Sequence, residues 1–330
     1  MSNKHTLFQG TLSTLKNKMS YESKVLRELS LPTKEEVLRT LLIALLNRNG
    51  HVKEFGSGDQ DFVNQLANSI GLSERQRTFL MHTVVRKEGR LKTFPAWNRL
   101  LFRAADLAAK HKFLARPKDT LRLTGEREWM LTEKGIDEAL RLSKIPIEQK
   151  QDLPILTFEV QRITEAMDKA QRLKNYNPID TSKKSRKITR ESLLRARGFR
   201  QAVLQAYGFC CCVCGLKLSS PDSLQWEVEA AHIVPHRFYG KDDLWNGIAL
   251  CRFHHWTFDV GWYTLRTDFT IEVNHLITKL ATDQGLMGGL DILRQTATPD
   301  QSIKLPKRRE VYPHENSIDW HRKNIFVHSH

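Results

Sequence analysis

Apolar residues recur at helical spacing through the first half of this chain. Pro32-Thr33 followed by Glu35 and Glu36 predicts a helix start, with Val37, Leu38, Leu41, Leu42 and Leu45 on one face. That helix should run to about Arg48, where Asn49-Gly50 stops it. A second helix is expected from Asp59 to Ile70, with Phe62, Val63, Leu66 and Ile70 inward. Ser73, with Gln76 three residues on, has the pattern of a capping box and opens a third short segment. Pro95 to His111 carries the strongest stripe: Trp97, Leu100, Leu101, Ala104, Ala105 and Ala108, with Arg99, Arg103 and Lys110 on the exposed side. Two strand-like pieces follow, Phe113 to Arg116 and Leu121 to Leu123, with Pro117-Lys118-Asp119 as the turn between them. Beyond them come an apolar strand end at Trp129, a capping Thr132 and a helix to about Ser143. A helix from Leu156 to about Lys174 follows Pro154, and another from Arg190 to Tyr207 buries Leu193, Leu194, Phe199, Val203 and Leu204.

The expected class is α+β, divided into a polar, partly helical arm at 1–30, a domain at 31–145, a helical and basic linker at 146–190, and a domain with a C-terminal extension at 191–330. Residues 175–189 read as a hinge. Helices, a basic helix, a hairpin and a closing helix over 31–145 describe a winged helix-turn-helix domain. With Trp129, Leu131, Thr132 and Gly135 in the pattern WxLTxxG, this stretch resembles the N-terminal domain of Mrr-type restriction proteins. The resemblance implies duplex DNA binding by the helix from Trp97, through Arg99, Arg103 and Lys110. The competing use of a winged helix is protein contact or dimerisation.

Charge sharpens this picture. Lys and Arg exceed Asp and Glu to give a net charge of +15, which favours a polyanionic partner. The excess is concentrated: Lys183, Lys184, Arg186, Lys187, Arg190, Arg195, Arg197 and Arg200 face only Glu191, and Lys307, Arg308 and Arg309 form a second cluster. The run from Lys183 to Arg190 is expected to contact phosphates. The longest apolar run, Leu41 to Leu46, is too short to span a bilayer, and no signal-peptide pattern is visible. Cys210, Cys211, Cys212 and Cys214 lie too close together for a disulfide framework and argue for metal in a reducing, cytoplasmic compartment.

Cys211-x-x-Cys214 and Cys251-x-x-His254 are two half-sites for a tetrahedral structural zinc. Read alone, Cys-x-x-Cys also fits a redox pair, and Cys210 and Cys212 flank the motif as alternative ligands. His232, Asn246, His255 and Asp259 are left over, with chemistry suited to a second, catalytic metal. Asn246-Gly247 also fits a plain turn, and Asp259 a helix-terminal residue before Gly261.

In this order, from about residue 195 to 275, these residues resemble the HNH endonuclease family with its ββα-metal core. A weaker match continues to IDWHRKNIF near the end, a segment similar to one in bacterial restriction-type HNH proteins. The resemblance implies that His232 is the general base, that Asn246 orients it or helps hold the metal, and that His255 is a metal ligand on a short helix. Asp259, four residues later on the same helix face, fits a second ligand for Mg2+ or Mn2+. Many members carry a ligating Asp or His immediately before the base, where this chain has Ala231. Either fewer protein groups hold the ion, or Glu229 reaches in from the same strand face.

The function so implied is metal-dependent cleavage of double-stranded DNA in bacterial restriction or anti-phage defence, by a possible homodimer or with defence-system partner proteins. The rival readings are a DNA-binding regulator with a decayed nuclease domain, an RNA-directed nuclease, and a nuclease subunit idle until a partner activates it.

Overall fold

The computed structural model describes residues 21–55, 60–85, 90–151, 153, 155–181, 189–221, 225–279 and 289–326. Helix and sheet are mixed throughout, and among the described residues three hydrophobic clusters form, two large ones from residues 37 to 155 and from 199 to 318 and a small one of Val25, Leu29, Met81 and Ala96.

The first cluster is built by α2 (Lys34–Leu46), α3 (Gln60–Ile70) and α5 (Ala96–Lys110), preceded by α1 (Tyr21–Glu28). Helix α2 starts where a reciprocal cap forms: Thr33 accepts from the Glu36 N–H and Glu36 accepts from the Thr33 N–H. Ser73 and Gln76 build the same box at α4 (Glu74–Thr78). All six apolar residues expected to face inward on α5 are buried, and the Trp97 indole donates to Val63 O at 3.3 Å.

A three-stranded antiparallel sheet closes this cluster. Its strands are β1 (His51–Lys53), β4 (Leu114–Ala115) and β5 (Glu128–Leu131), in the order β1-β5-β4, and β5 leads into α7 (Glu133–Leu142) through the Thr132 cap.

Two departures from expectation lie here. Residues 121–123 are not a strand: Pro117–Thr124 is helix α6, with Pro117 in its first turn and Gly125 in the left-handed conformation at its end. Thr120, Leu121, Arg122 and Leu123 alternate like a strand, but the proline pre-sets a helical φ and the Thr120 hydroxyl bonds to Pro117 O and Glu128 O. The second departure is a six-residue antiparallel hairpin, β2 (Leu80–Val85) with β3 (Arg90–Pro95), where the sequence pattern predicted nothing.

The connector helix α8 (Phe158–Asp168) is shorter than expected and packs along α9 (Arg190–Ala206). A side chain at Gly198 would meet Ile163 Cγ2 at 2.4 Å, so glycine permits that close approach. Part of the expected hinge is docked. Ile179 pairs with Gly240, Asp180 N donates to Tyr239 O at 2.8 Å, and Lys241 N donates to Pro178 O at 2.9 Å. Lys183, Lys184, Arg186 and Lys187 lie outside the described residues.

The second cluster centres on α9 and a β-hairpin, β6 (Val228–His232) with β7 (Gly247–Cys251), in the register Val228↔Cys251 to His232↔Gly247. Helix α10 (Arg252–Asp259) follows β7 directly, giving a ββα unit. A second hairpin, β8 (Tyr263–Leu265) with β9 (Ile271–Val273), and helices α11 (Leu276–Lys279), α12 (Gly289–Thr296) and α13 (Glu315–His321) pack around it.

Candidate metal centre and active site

Cys211, Cys214, Cys251 and His254 converge at the junction of the turn after α9 with the β7–α10 corner, and their ligand atoms all lie within 4.8 Å of one another. This resolves the register of the cysteine cluster. Cys212 is buried elsewhere, its N–H donating to Ala249 O at 2.8 Å, and Cys210 is not in the set.

His254 turns Nδ1 toward the sulfurs, 3.0 Å from Cys251 Sγ and 3.7 Å from Cys211 Sγ, and its Nε2–H donates to Thr296 Oγ1 at 2.9 Å. A hydroxyl on the far nitrogen fixes the tautomer a metal-binding imidazole needs. Hydrogen bonds from Cys214 and Cys251 hold the Cys211 thiol well below its ordinary value against the opposing effect of burial. Burial pulls His254 down, but its hydrogen bonds to Cys211 and Cys214 outweigh that and lift it to about 9. Three thiols and an imidazole in this arrangement fit a structural zinc. Thr296 carries no spacing signal in the sequence, and only the fold reveals it.

The other candidates gather across the ββα unit. His255 sits between two carboxylates: its Nδ1 is 3.0 Å from Glu229 Oε2 and its Nε2 is 3.7 Å from Asp259 Oδ2. Glu229 of β6 thus meets the His255 imidazole on Nδ1. Its second oxygen takes Arg252 Nε at 3.1 Å. Glu229 is lowered chiefly by its hydrogen bond to His255. Burial opposes charge on His255, but Glu229 and Asp259 leave its pKa raised overall. Asp259 is raised by burial, against the nearby positive influence of His255, Arg237 and His232.

His255 Nε2 and Asp259 are the donors that could take a divalent ion, and Glu229 is bonded to the other imidazole nitrogen. Among the described residues, no third His, Cys, Asp or Glu closes this set within the spacing seen at the cysteine centre.

His232 ends β6, close enough to Asp259 for its charge to act on that carboxyl. Its ring stacks on Phe199 at 4.1 Å and 17°, and its Nε2 is 2.9 Å from Asp242 Oδ1. Glycine at 247 makes room for this stack, because a side chain there would meet Phe199 at 2.9 Å.

Asn246 is fully buried and binds backbone rather than His232: Oδ1 accepts from Val234 N–H at 2.8 Å, and Nδ2 donates to Val234 O and Lys241 O at 3.1 and 3.0 Å. The expectation that Asn246 orients the base directly is thus corrected. A side-chain amide reaches only two carbons from its backbone, and the 234–241 loop fills that reach. Asp242 is the partner that sequence reasoning missed, although the Asp242-Asp243 pair between the base and Asn246 was a visible signal.

The expected DNA-binding residues divide. Arg103 lies 2.6 Å from Glu22 of α1, with Arg99 4.0 Å away, and Lys110 pairs with Asp106 at 3.2 Å. These basic residues, with Lys34 and Phe102, line a cavity of about 340 Å³. Arg190 is largely exposed, 3.8 Å from Asp137. Of the other arginines on α9, Arg195 pairs with Asp243 at 3.0 Å, and Arg197 is buried against Glu133 instead of lining a phosphate track. No helix among the described residues is long and apolar enough to cross a membrane.

Comparison with curated proteins found no match. Among solved structures, one described as a modification dependent TagI restriction endonuclease is similar at 19% identity and a TM-score of 0.27, over 38% of this chain and 37% of that one. The HNH endonuclease family matches residues 211–266, the stretch that holds the cysteine centre, His232, Asn246, His255 and Asp259. Over that stretch the chain is similar to the HNH endonuclease family.

Proposed function

We propose that this protein is a metal-dependent endonuclease that hydrolyses phosphodiester bonds of double-stranded DNA, in restriction or anti-phage defence. The observation that carries the reading is the separation of two centres on one ββα unit. A closed Cys3His set can hold structural zinc, and a separate, partly exposed His255–Asp259 pair lies on the same ββα unit as His232.

Mg2+ or Mn2+ bound there would stabilise negative charge on the phosphate and the departing oxygen. His232 takes a proton from water as the water oxygen bonds to phosphorus. The bond from phosphorus to the 3′ oxygen breaks, its electron pair stays on that oxygen, and solvent returns a proton. His255 and Asp259 hold their places through Glu229 and through the helix that carries both.

Residues 31–145 we read as a winged-helix domain that binds the duplex. The β1-β5-β4 order supports this, with α6 occupying the β4–β5 connection where a plain wing was expected. The domain division at 1–30, 31–145, 146–190 and 191–330 belongs to the same reading, as do a cytoplasmic location and a homodimer or defence-system partners. One observation favours a second reading, a nuclease held idle: Glu22 already occupies the arginines assigned to DNA.

The test is nicking of supercoiled plasmid by wild type and His232→Ala across Mg2+ and Mn2+. The variant should lose about 10²–10⁴-fold in rate while keeping zinc and DNA affinity. A folded His232→Ala protein that cleaves normally removes His232 as the base.

A further inference from the structure

We propose that Asp242 fixes the tautomer of His232, so that Nδ1 is the nitrogen that accepts the proton from water; this rests on reading His232 as the general base. The side chain of Asp242 is 5% exposed, and its Oδ1 lies 2.9 Å from His232 Nε2. An ionised carboxylate only accepts hydrogen bonds, so the proton of a neutral imidazole must sit on Nε2. The lone pair is then on Nδ1.

Phe199 stacked on the ring fixes the imidazole plane, with Nε2 given to Asp242 and, among the described residues, no hydrogen bond on Nδ1. When Nδ1 takes the proton from water, Nε2–H stays on Asp242, whose negative charge stabilises the imidazolium until the proton passes to solvent.

The loop carrying Asp242 is held on both sides of that residue. Asn246 Nδ2 donates to Lys241 O at 3.0 Å, and Lys241 N–H donates to Pro178 O at 2.9 Å. Past Asp242, Arg195 donates to Asp243 Oδ1 at 3.0 Å, and the Tyr176 hydroxyl donates to Asp243 Oδ2 at 3.3 Å. An exposed connecting loop needs no such bracing from three separate segments. Placement of a carboxylate against His232 does. Asn246 thereby acts on the base at one remove, through Lys241 and Asp242.

The experiment uses the full-length, zinc-loaded protein and the nearly isosteric Asp242→Asn. An amide can offer an N–H to Nε2, which moves the imidazole proton to Nδ1 and blocks the base. The expected result is a kcat lower by about 10²–10⁴-fold, with KM, DNA affinity, zinc content and Tm close to wild type. A purely structural Asp242 would move Tm and leave kcat.

A second readout is the long-range ¹H–¹⁵N correlation spectrum of ¹⁵N-histidine protein, recorded where the imidazoles are neutral. The His232 signals are identified by their absence in His232→Gln. Wild type should show the Nε2–H tautomer, and Asp242→Asn should lose it. A wild-type Nδ1–H tautomer, or wild-type cleavage by Asp242→Asn, overturns the proposal. If Asp242→Asn does not fold, the wild-type spectrum alone decides. If wild type cleaves nothing with any divalent ion, the nuclease reading fails, and the spectrum still separates that failure from a wrong tautomer.

Discussion

At the scale of single residues, two adjacent histidines have opposite employments. His254 points Nδ1 at three sulfurs, while His255, one position on, points at Glu229 and Asp259. Neighbouring residues on a helix project about 100° apart, so one helix serves both centres. His254→Ala should therefore release zinc and lower Tm, since structural zinc contributes on the order of 10 kcal/mol to folding in small modules. His255→Ala should keep zinc and lose only cleavage that depends on the divalent ion. Metal analysis of both variants checks the assignment, and zinc lost from His255→Ala with zinc retained by His254→Ala would reverse it. Glu229→Gln should weaken the divalent ion about 10- to 100-fold, read as a rightward shift of the Mg2+ dependence of cleavage without change in DNA affinity. The Cys211, Cys214, Cys251 and His254 set was legible because metal chemistry demands fixed residue types at fixed spacing. Asp242 and Thr296 were not, because a supporting hydrogen bond can come from any segment that the fold brings near.

At the scale of elements, helices with a wide apolar stripe and explicit caps were legible to within a few residues. Helix α6 was not, because an eight-residue helix and a short strand share the same few apolar positions. The C-terminal segment has an identifiable job. His321 of α13 is buried, accepts from the Thr264 hydroxyl at Nδ1, donates from Nε2 to Phe258 O, and stacks on the Phe258 ring. It thus ties the closing segment to the helix that carries His254 and His255. Burial depresses its pKa to about 3. In the unfolded chain it titrates near 6.5, so between those values only the unfolded state takes the proton. Stability should then fall as pH drops through that window, by at most about 1.4 kcal/mol per unit from this group. Urea melts at several pH values should show a shallower acid loss for His321→Gln. Equal slopes would mean that other groups govern it.

Helix α1 supplies a second element-scale prediction. Val25 and Leu29 seat it against Met81 and Ala96, and Glu22 then meets Arg103. A carboxylate on that arginine competes with DNA phosphate for the same donors. Glu22→Gln should tighten duplex binding by about tenfold, equivalent to about 1.4 kcal/mol, and steepen its salt dependence. Fluorescence anisotropy at two ionic strengths measures both. Unchanged or weaker binding would mean that α5 is not a phosphate-contacting helix, and the protein-docking use of this domain would gain.

At the scale of the whole molecule, the two large hydrophobic clusters meet through charge. Glu133, at the start of α7, accepts from Arg197 of α9 at 2.8 Å, from Lys150 at 2.8 Å and from the Thr157 hydroxyl at 2.5 Å, while Arg197 also donates to Ile155 O at 2.7 Å. Glu133, Lys150 and Arg197 are all buried. The sequence placed Arg197 in a basic run and so pointed to phosphate; nothing local marked it as the residue that turns inward, because its partner lies 64 positions away. Burying charge is costly unless every partner is present, so removing one member leaves the rest poorly solvated. Arg197→Ala should then cost about 3–5 kcal/mol, and it should do so at the junction rather than inside either cluster. Calorimetry of wild type should show the clusters melting together, and the variant should show two transitions, the later one retaining zinc-dependence if it belongs to the cysteine centre. Plasmid cleavage at low temperature, where both parts stay folded, should survive the substitution, because Arg197 bonds to Glu133 and Ile155. A single transition shifted by less than about 1 kcal/mol, the worth of an exposed ion pair, would mean that the buried network does not couple the two halves.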